Sequence, residues 1–488
     1  MKWLRGSTKK NNFFITGCAR SGTTAIAEIL DTASNAKVTV EESPVLHVEC
    51  RALYDGVFEE PRKTFYIAKS STMDRWNSEG KIYGDKNVNY VPFIRYIDEE
   101  IIFLIRDGRD VVRSLMNWHS HFKNVYCEAD GKQPDLSDYC RPRPHPNNPY
   151  FKKWSSMSQF EMCCWYWQEW NRLGLDSLEN HKKPDQYRIV NMDTLDVASV
   201  KELFQWLGLK GFNPEQVREM LFGKINSLKQ RFKEKDKFPS YVFWDRKTRE
   251  KFWSIVDEVY ERIERLWLQR YNEMAKALNS HLGDSPWFNL FMTESNFRIY
   301  LWIKRNISKD ASILDAGAGW ASLPILLAKH GYADCTMNDS LPKRIRNAKR
   351  LAEKFGVEIK YRLGYMLQLD NSVKYDVVAS ATWQHPHYPY EKVVEYFASF
   401  LKPKGYLILT FWNEEGNIDE ARQEFLKHYK YRKDFGKPFP SITPKALESL
   451  FTQHGLQPIH WKLENTPPTP NMSKMQCTTP EHIIIGQK

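Results

Sequence analysis

The sequence predicts an α/β protein of two domains, each built on a parallel sheet with flanking helices. Three observations predict it. A chain of 488 residues is too long for one ordinary core. Near its start the apolar run Phe13-Phe14-Ile15 breaks at Gly17, passes a tight loop holding Gly22, and enters Thr24–Leu30, where Ile26, Ile29 and Leu30 share a helical face. Far downstream the same order recurs: Ser312-Ile313-Leu314-Asp315 reads as a strand, runs into Gly317 and Gly319, and leads to a helix. The stretch Asn279–Pro286 breaks the helical pattern between them, placing one domain at 1–280 and the other at 285–488.

The first glycine loop is a phosphate cradle by construction. Unpaired backbone N–H groups at a helix start, with the partial positive charge of the helix dipole, favour an anion there. The spacing Gly17-x-x-x-x-Gly22-Thr23-Thr24 copies a nucleotide-binding P-loop except that Thr23 stands where lysine is expected, and the cation sits inside the loop as Arg20. That string, Arg20-Ser21-Gly22-Thr23-Thr24, resembles the sulfotransferases, whose loop holds the 5′-phosphosulfate of PAPS (3′-phosphoadenosine 5′-phosphosulfate). The resemblance implies that Arg20 neutralises the bridging oxygen as sulfuryl leaves and that Ser21 to Thr24 donate hydrogen bonds. Positioning and charge stabilisation would then carry most of the catalysis.

The rest of this half follows in order. Lys37–Val40 reads as a second strand ending at Glu41-Glu42-Ser43-Pro44. Transfer to a hydroxyl needs a base beside the loop, and Glu42-Ser43 is similar to the acidic pair that many sulfotransferases place here, with Glu41 and His47 as alternatives. Ile82–Tyr90 resembles the Gly-Asp-Lys segment of carbohydrate and protein sulfotransferases, with Val88 where proline is usual, which implies that Lys86 stabilises charge at the transferring group. Ile101–Ile105 reads as a strand buried on both faces. Arg106 at its end and Ser114 eight residues on match the pair that clamps the 3′-phosphate of PAPS in that family; a planar guanidinium suits a phosphate because it bonds two oxygens at once. Regular patterning disappears between Met116 and Trp154, and Arg141–Tyr150 holds too many prolines for a helix. His119 and His121 lack further ligands, so no metal is expected. Phe160–Trp170 reads as a buried aromatic helix, Tyr187–Leu195 as a late strand, Lys229–Lys237 as a basic segment, and Arg249–Leu278 as a long amphipathic helix.

In the second half Asp315, Gly317, Ala318 and Gly319 open the first strand-to-helix turn, and Asp339 ends the next strand, placed to accept ribose hydroxyls. Strands follow at Glu358–Leu363 and Tyr375–Ala381, then a helix around Lys392–Leu401 and Lys402-Pro403-Lys404-Gly405 entering another strand. This succession resembles a class I S-adenosylmethionine (SAM) methyltransferase, with a Rossmann-like sheet and SAM as donor. Tyr365 stands where an adenine-contacting aspartate is common, so that contact is not assigned. His385 or His387, after the fourth strand, is placed to take a proton from an acceptor. A last strand is expected at Glu481–Gly486.

Composition narrows the setting. The net charge of +11 attracts a polyanionic donor or an acidic acceptor, while no nucleic-acid module is recognisable. Eight scattered cysteines without a C-x-x-C pair fit reduced thiols. Met1–Lys10 has no apolar core of signal-peptide length and no run reaches membrane-spanning length, so a cytoplasmic enzyme is expected. The two resemblances together imply a bifunctional enzyme that passes sulfuryl from PAPS and methyl from SAM to an acceptor such as a glycan, glycolipid or other small metabolite bearing hydroxyls. The alternatives are a P-loop kinase fused to the same methyltransferase and a non-catalytic nucleotide-binding protein.

Overall fold

The computed structural model describes residues 12–42, 45–122, 142–222, 238–279, 294–381, 389–412, 442–463 and 481–488. The chain divides into two compact units, Met1–Glu264 and Arg265–Lys488, and the division falls inside the helix Arg246–Asn279.

Five short apolar runs build the first sheet: β1 (Phe13–Gly17), β2 (Ala36–Val40), β3 (Ile82–Lys86), β4 (Glu100–Ile105) and β5 (Tyr187–Asn191). They lie in the order β2-β3-β1-β4-β5, every pairing parallel. From β1 the chain goes outward to β2, returns to β3, then crosses to β4. Strand order therefore reverses beside β1, and the carboxyl ends of β1 and β4 flank the crevice where such sheets take ligands. One core joins Ile15, Leu104 and Ile102 to Ile26, Ile29 and Leu30 of the helix Thr23–Leu30 and to Leu203 and Phe204 of the helix Val197–Leu207.

The aromatic helix is Gln159–His181, opened by a capping box between Ser158 and Glu161. Trp165, Trp167 and Trp170 are fully buried, as their density in the sequence implies for core. Gly174 brings this helix close to the sheet, because a Cβ there would lie 2.2 Å from the Phe103 ring. Lys69, on the helix Pro61–Ser78, meets Asp85 of β3 at 2.6 Å with both side chains fully buried.

The second sheet comprises β6 (Ser312–Ala316), β7 (Asp334–Asp339), β8 (Lys360–Leu363), β9 (Tyr375–Ser380), β10 (Leu401–Trp412), β11 (Gln457–Leu463) and β12 (Glu481–Gln487), in the order β11-β12-β10-β9-β6-β7-β8. β6 to β10 pair in parallel, but β12 runs antiparallel to both β10 and β11. The expected parallel sheet is present as β6 to β10; antiparallel neighbours need no helical crossover, so the last two strands join its edge without one. Order reverses between β6 and β9, and the glycine turn after β6 opens at that point. The core packs Leu314, Val378, Leu407 and Leu409 against Val393, Val394 and Phe397 of the helix Tyr390–Ser399. Among the described residues no helix is long and apolar enough to cross a membrane.

Candidate functional site

In the first unit, Gly17 and Gly22 let the loop after β1 turn back on itself. Gly17 has φ 150° and lies so near β4 that a Cβ would sit 2.3 Å from the Leu104 carbonyl oxygen; Gly22 has φ 85° and faces the Met192 side chain. Arg20 also adopts a positive φ of 71°, an uncommon state for a residue with a side chain. The Ser21 N–H donates to the Cys18 carbonyl at 3.1 Å, and the Ala19 N–H donates to the Tyr166 hydroxyl at 3.3 Å. No side chain caps the helix Thr23–Leu30. Its first N–H groups therefore stay available to an anion. Ser21 is fully buried and its hydroxyl has no hydrogen-bond partner among the described residues. Thr23 is buried and Thr24 half-buried at the helix start. An unsatisfied hydroxyl and an uncapped helix start suit a phosphate or sulfate group.

The fold brings the distant arginine and serine to this loop. Arg20 Nε donates to Ser114 Oγ at 3.0 Å, and Arg106 Nη1 donates to the Arg20 carbonyl at 3.4 Å. The two cations thus share one crevice across 86 residues of sequence. Arg106 meets carboxylates only loosely, Asp110 and Asp193 each at 3.8 Å, and remains half-buried, so its fork is not consumed by an internal ion pair. Trp167 Nε1 donates to the Arg106 carbonyl at 3.1 Å and fixes the end of β4. Asp193, expected only as part of the late strand, lies beyond its end and accepts the Asp107 N–H at 2.7 Å; burial, then the charges of Asp107 and Asp110, push its carboxyl up to about 6. Nothing local in the sequence marks it, because it reaches the site from the turn after β5.

The predicted base and its neighbour separate at the end of β2. Glu42 is exposed, and its carboxylate accepts from the Tyr83 hydroxyl at 2.9 Å and from Thr39 Oγ1 at 3.4 Å. Glu41 holds a positive φ of 53°, donates its N–H to the Lys86 carbonyl at 2.8 Å and accepts from Lys86 Nζ at 2.6 Å. Lys86 is buried, while the Glu41 carboxylate is 37% exposed and meets water from its own side. Behind it, Asp85 accepts from Lys69, from Thr39 Oγ1 at 2.6 Å and from the Tyr90 hydroxyl. The side chains of His47, His119 and His121 lie outside the described residues, as does the basic segment 229–237. Among the described residues no cluster of side chains is set to hold a metal.

In the second unit the turn after β6 runs through Gly317 at φ 75° and Gly319 at φ 57°. Beside Gly319 a Cβ would meet open space, whereas beside Gly317 it would lie 2.7 Å from Met366 Cε. The Ala318 N–H donates to the Asn338 carbonyl at 2.8 Å, tying the loop to β7. Asp339, at the end of β7, is buried and accepts from Gly319 N at 3.1 Å, Leu341 N at 2.9 Å and Arg344 Nη1 at 3.0 Å. Asp315 is 2% exposed, and its carboxyl accepts no hydrogen bond among the described residues. Burial first, and the charge of Asp339 second, push it up to about 7. A carboxylate pair beside an open glycine turn fits a ligand that offers a diol and a cationic group. His385 and His387 lie outside the described residues.

Residues 264–460 match the family model of the methyltransferase domain, beginning where the two units divide. The chain is 30% identical over 184 residues to EEF1A lysine methyltransferase 2 of Homo sapiens, covering 35% of this chain and 72% of that protein. The chain belongs to the SAM-dependent methyltransferases. Solved methyltransferases of low identity also align with it. Magnesium protoporphyrin IX methyltransferase of Synechocystis PCC 6803 is 15% identical, covering 45% of this chain and 99% of that one at a TM-score of 0.33. A SAM-dependent methyltransferase of Methanosarcina mazei is 22% identical, covering 38% and 96% at 0.30. In this methyltransferase the donor is SAM, and Asp315, Gly317, Ala318, Gly319 and Asp339 lie together at the carboxyl ends of β6 and β7.

Proposed function

We propose that this methyltransferase is also a sulfotransferase, passing sulfuryl from PAPS and methyl from SAM to hydroxyl-bearing acceptors such as a glycan, glycolipid or other small metabolite. One observation carries the sulfuryl half: Arg20 and Arg106 converge with Ser114 at a reversal of strand order, over an uncapped helix start. In this reading Ser21, Gly22, Thr23 and Thr24 hold the 5′-phosphosulfate, and Arg106 with Ser114 holds the 3′-phosphate. The acceptor oxygen bonds to sulfur, the bond from sulfur to the bridging oxygen breaks, and its electron pair leaves with the bisphosphate. Arg20 and Lys86 offset the charge that develops there, and a carboxylate at the end of β2, Glu42 or Glu41, takes the acceptor proton. In the second unit Asp339 takes the ribose and the glycine turn admits the donor's amino-acid end; His385 or His387 is the proton acceptor proposed for methyl transfer.

Calorimetric titration of the full chain with PAP (adenosine 3′,5′-bisphosphate), ATP with magnesium, and S-adenosylhomocysteine tests both halves. Binding of PAP that weakens at least tenfold in Arg106→Ala, with S-adenosylhomocysteine unaffected, is the expected result. Binding of ATP with magnesium and no binding of PAP replaces the sulfuryl reading with a kinase. A second reading of the methyl acceptor follows from the human relative, whose name describes it as a lysine methyltransferase: here the acceptor is a lysine amine of a protein. Mass spectrometry of extracts incubated with both donors separates the two, since paired sulfuryl and methyl gains on a small molecule support the first and methyl gains on peptides support the second.

A further inference from the structure

The turn after β5 touches both sides of the crevice between β1 and β4. The Met192 N–H donates to the Ile105 carbonyl at 2.9 Å, and a Cβ on Gly22 would lie 2.6 Å from Met192 Cε. Asp193 follows. Its Oδ2 accepts the Asp107 N–H at 2.7 Å, its Oδ1 faces Arg106 Nε at 3.8 Å, and its side chain is 19% exposed. Asp107, Asp110 and Asp193 thus surround two guanidiniums, those of Arg106 and Arg109. Asp107 is held by Arg109 Nε at 2.9 Å and accepts from the Tyr260 hydroxyl, on the helix Arg246–Asn279, at 3.2 Å. Asp110 is 44% exposed and meets water. The turn itself contributes the neutral Asn191, whose Oδ1 accepts the Asp193 N–H at 2.9 Å. Asp193 is therefore the least compensated of the three carboxylates, since its cation is Arg106, the group that an incoming anion would engage. Burial with the charges of Asp107 and Asp110 already holds its carboxyl up at about 6.

We propose that Asp193 is a positioning residue of the bisphosphate site, and that the 3′-phosphate, on reaching Arg106, draws a proton from solvent onto Asp193 Oδ1. The inference rests on the reading in which Arg106 and Ser114 hold the 3′-phosphate. Without the ligand, the ionised carboxylate draws on Arg106 from one side. A phosphate carrying nearly two negative charges takes the guanidinium fork from the other, and the like charge that it brings disfavours the ionised carboxyl. One proton adds to Oδ1 and no other covalent bond forms or breaks. Oδ2 goes on accepting the Asp107 N–H, so the backbone after Arg106 keeps its place. Binding that takes up a proton weakens as pH rises, so this site holds the bisphosphate more tightly below neutrality than above it.

The test is calorimetric titration of the full chain with PAP at pH 7 and pH 8, each in HEPES and in Tris, whose different ionisation heats count the protons exchanged. In this range free PAP has lost almost all its phosphate protons. If the complex raises the Asp193 carboxyl by about two pH units, the parent protein should take up about 0.8 proton per PAP at pH 7 and bind about fivefold more weakly at pH 8. Asp193→Asn keeps an acceptor for the Asp107 N–H and cannot ionise. It should show no uptake and no fall in affinity from pH 7 to 8, and should bind PAP about tenfold more tightly than the parent at pH 7. Asp193→Ala loses the acceptor as well and should bind more weakly than Asp193→Asn. Circular dichroism and binding of S-adenosylhomocysteine check that each variant is folded. PAP binding by the parent without proton uptake overturns the proposal and leaves the bisphosphate reading standing. So does an Asp193→Asn variant that follows the parent at both pH values, the behaviour of a merely structural brace. If the parent binds S-adenosylhomocysteine but no PAP, the bisphosphate reading fails and this inference falls with it.

Discussion

Replacing Asp315 by asparagine tests the electrostatics at the glycine turn after β6 directly. The carboxyl lies at the end of β6, 2% exposed, and burial with the nearby charge of Asp339 raises it from 3.8 to about 7. Between those values the folded chain holds a proton that the unfolded chain has released. Stability from this group is therefore fully present below about pH 4 and is lost as pH rises through about 7. A shift of roughly three pH units, at about 1.36 kcal/mol each, sets the loss at up to about 4 kcal/mol. Asparagine keeps the shape and cannot ionise. Asp315→Asn should match the parent protein near pH 4 and exceed it by up to about 4 kcal/mol at pH 8. Because the chain holds two units, hydrogen exchange of peptides from β6 and β9, measured from pH 5 to 8, reports this region without assuming one global transition. Equal pH slopes in variant and parent, or faster exchange in the variant at pH 8, would refute the reasoning.

Three further outcomes are expected. Lys69→Met strands the fully buried Asp85 and should cost about 3–5 kcal/mol; chemical denaturation followed by exchange in β3 measures it, and adding Asp85→Asn should restore more than half. Gly17→Ala drives a Cβ into the Leu104 carbonyl and should cost about 3 kcal/mol, seen in chemical denaturation followed by exchange in β1. Asp196→Ala removes the side chain that caps the helix Val197–Leu207 and should cost about 1 kcal/mol, measured by chemical denaturation.

Both glycine turns and the strands that feed them were legible in the sequence, because a buried parallel strand is a run of apolar residues and a tight turn into a helix demands glycine. Phe13–Gly17 and Ser312–Ala316 carry both signals within a few residues. The edge of the second sheet was less legible: β11 and the helix Pro444–Gln453 went unforeseen, and the reversal of β12 leaves no mark in its own composition. Asp193 and Glu41 show the same limit within the first site. Their significance comes from partners far away in sequence, Arg106 and Lys86, and no spacing rule connects them.

By itself the sequence determined where the chain turns sharply and which residue types stand at those turns, since backbone sterics and helix dipoles act over only a few residues. The tertiary structure alone decided that Arg20 meets Ser114, that Lys86 holds Glu41 and leaves Glu42 to Tyr83, and that Asp315, buried first and near Asp339 second, keeps its proton toward neutrality. Those are relations of charge and burial, and they take their values only from the distances that folding sets.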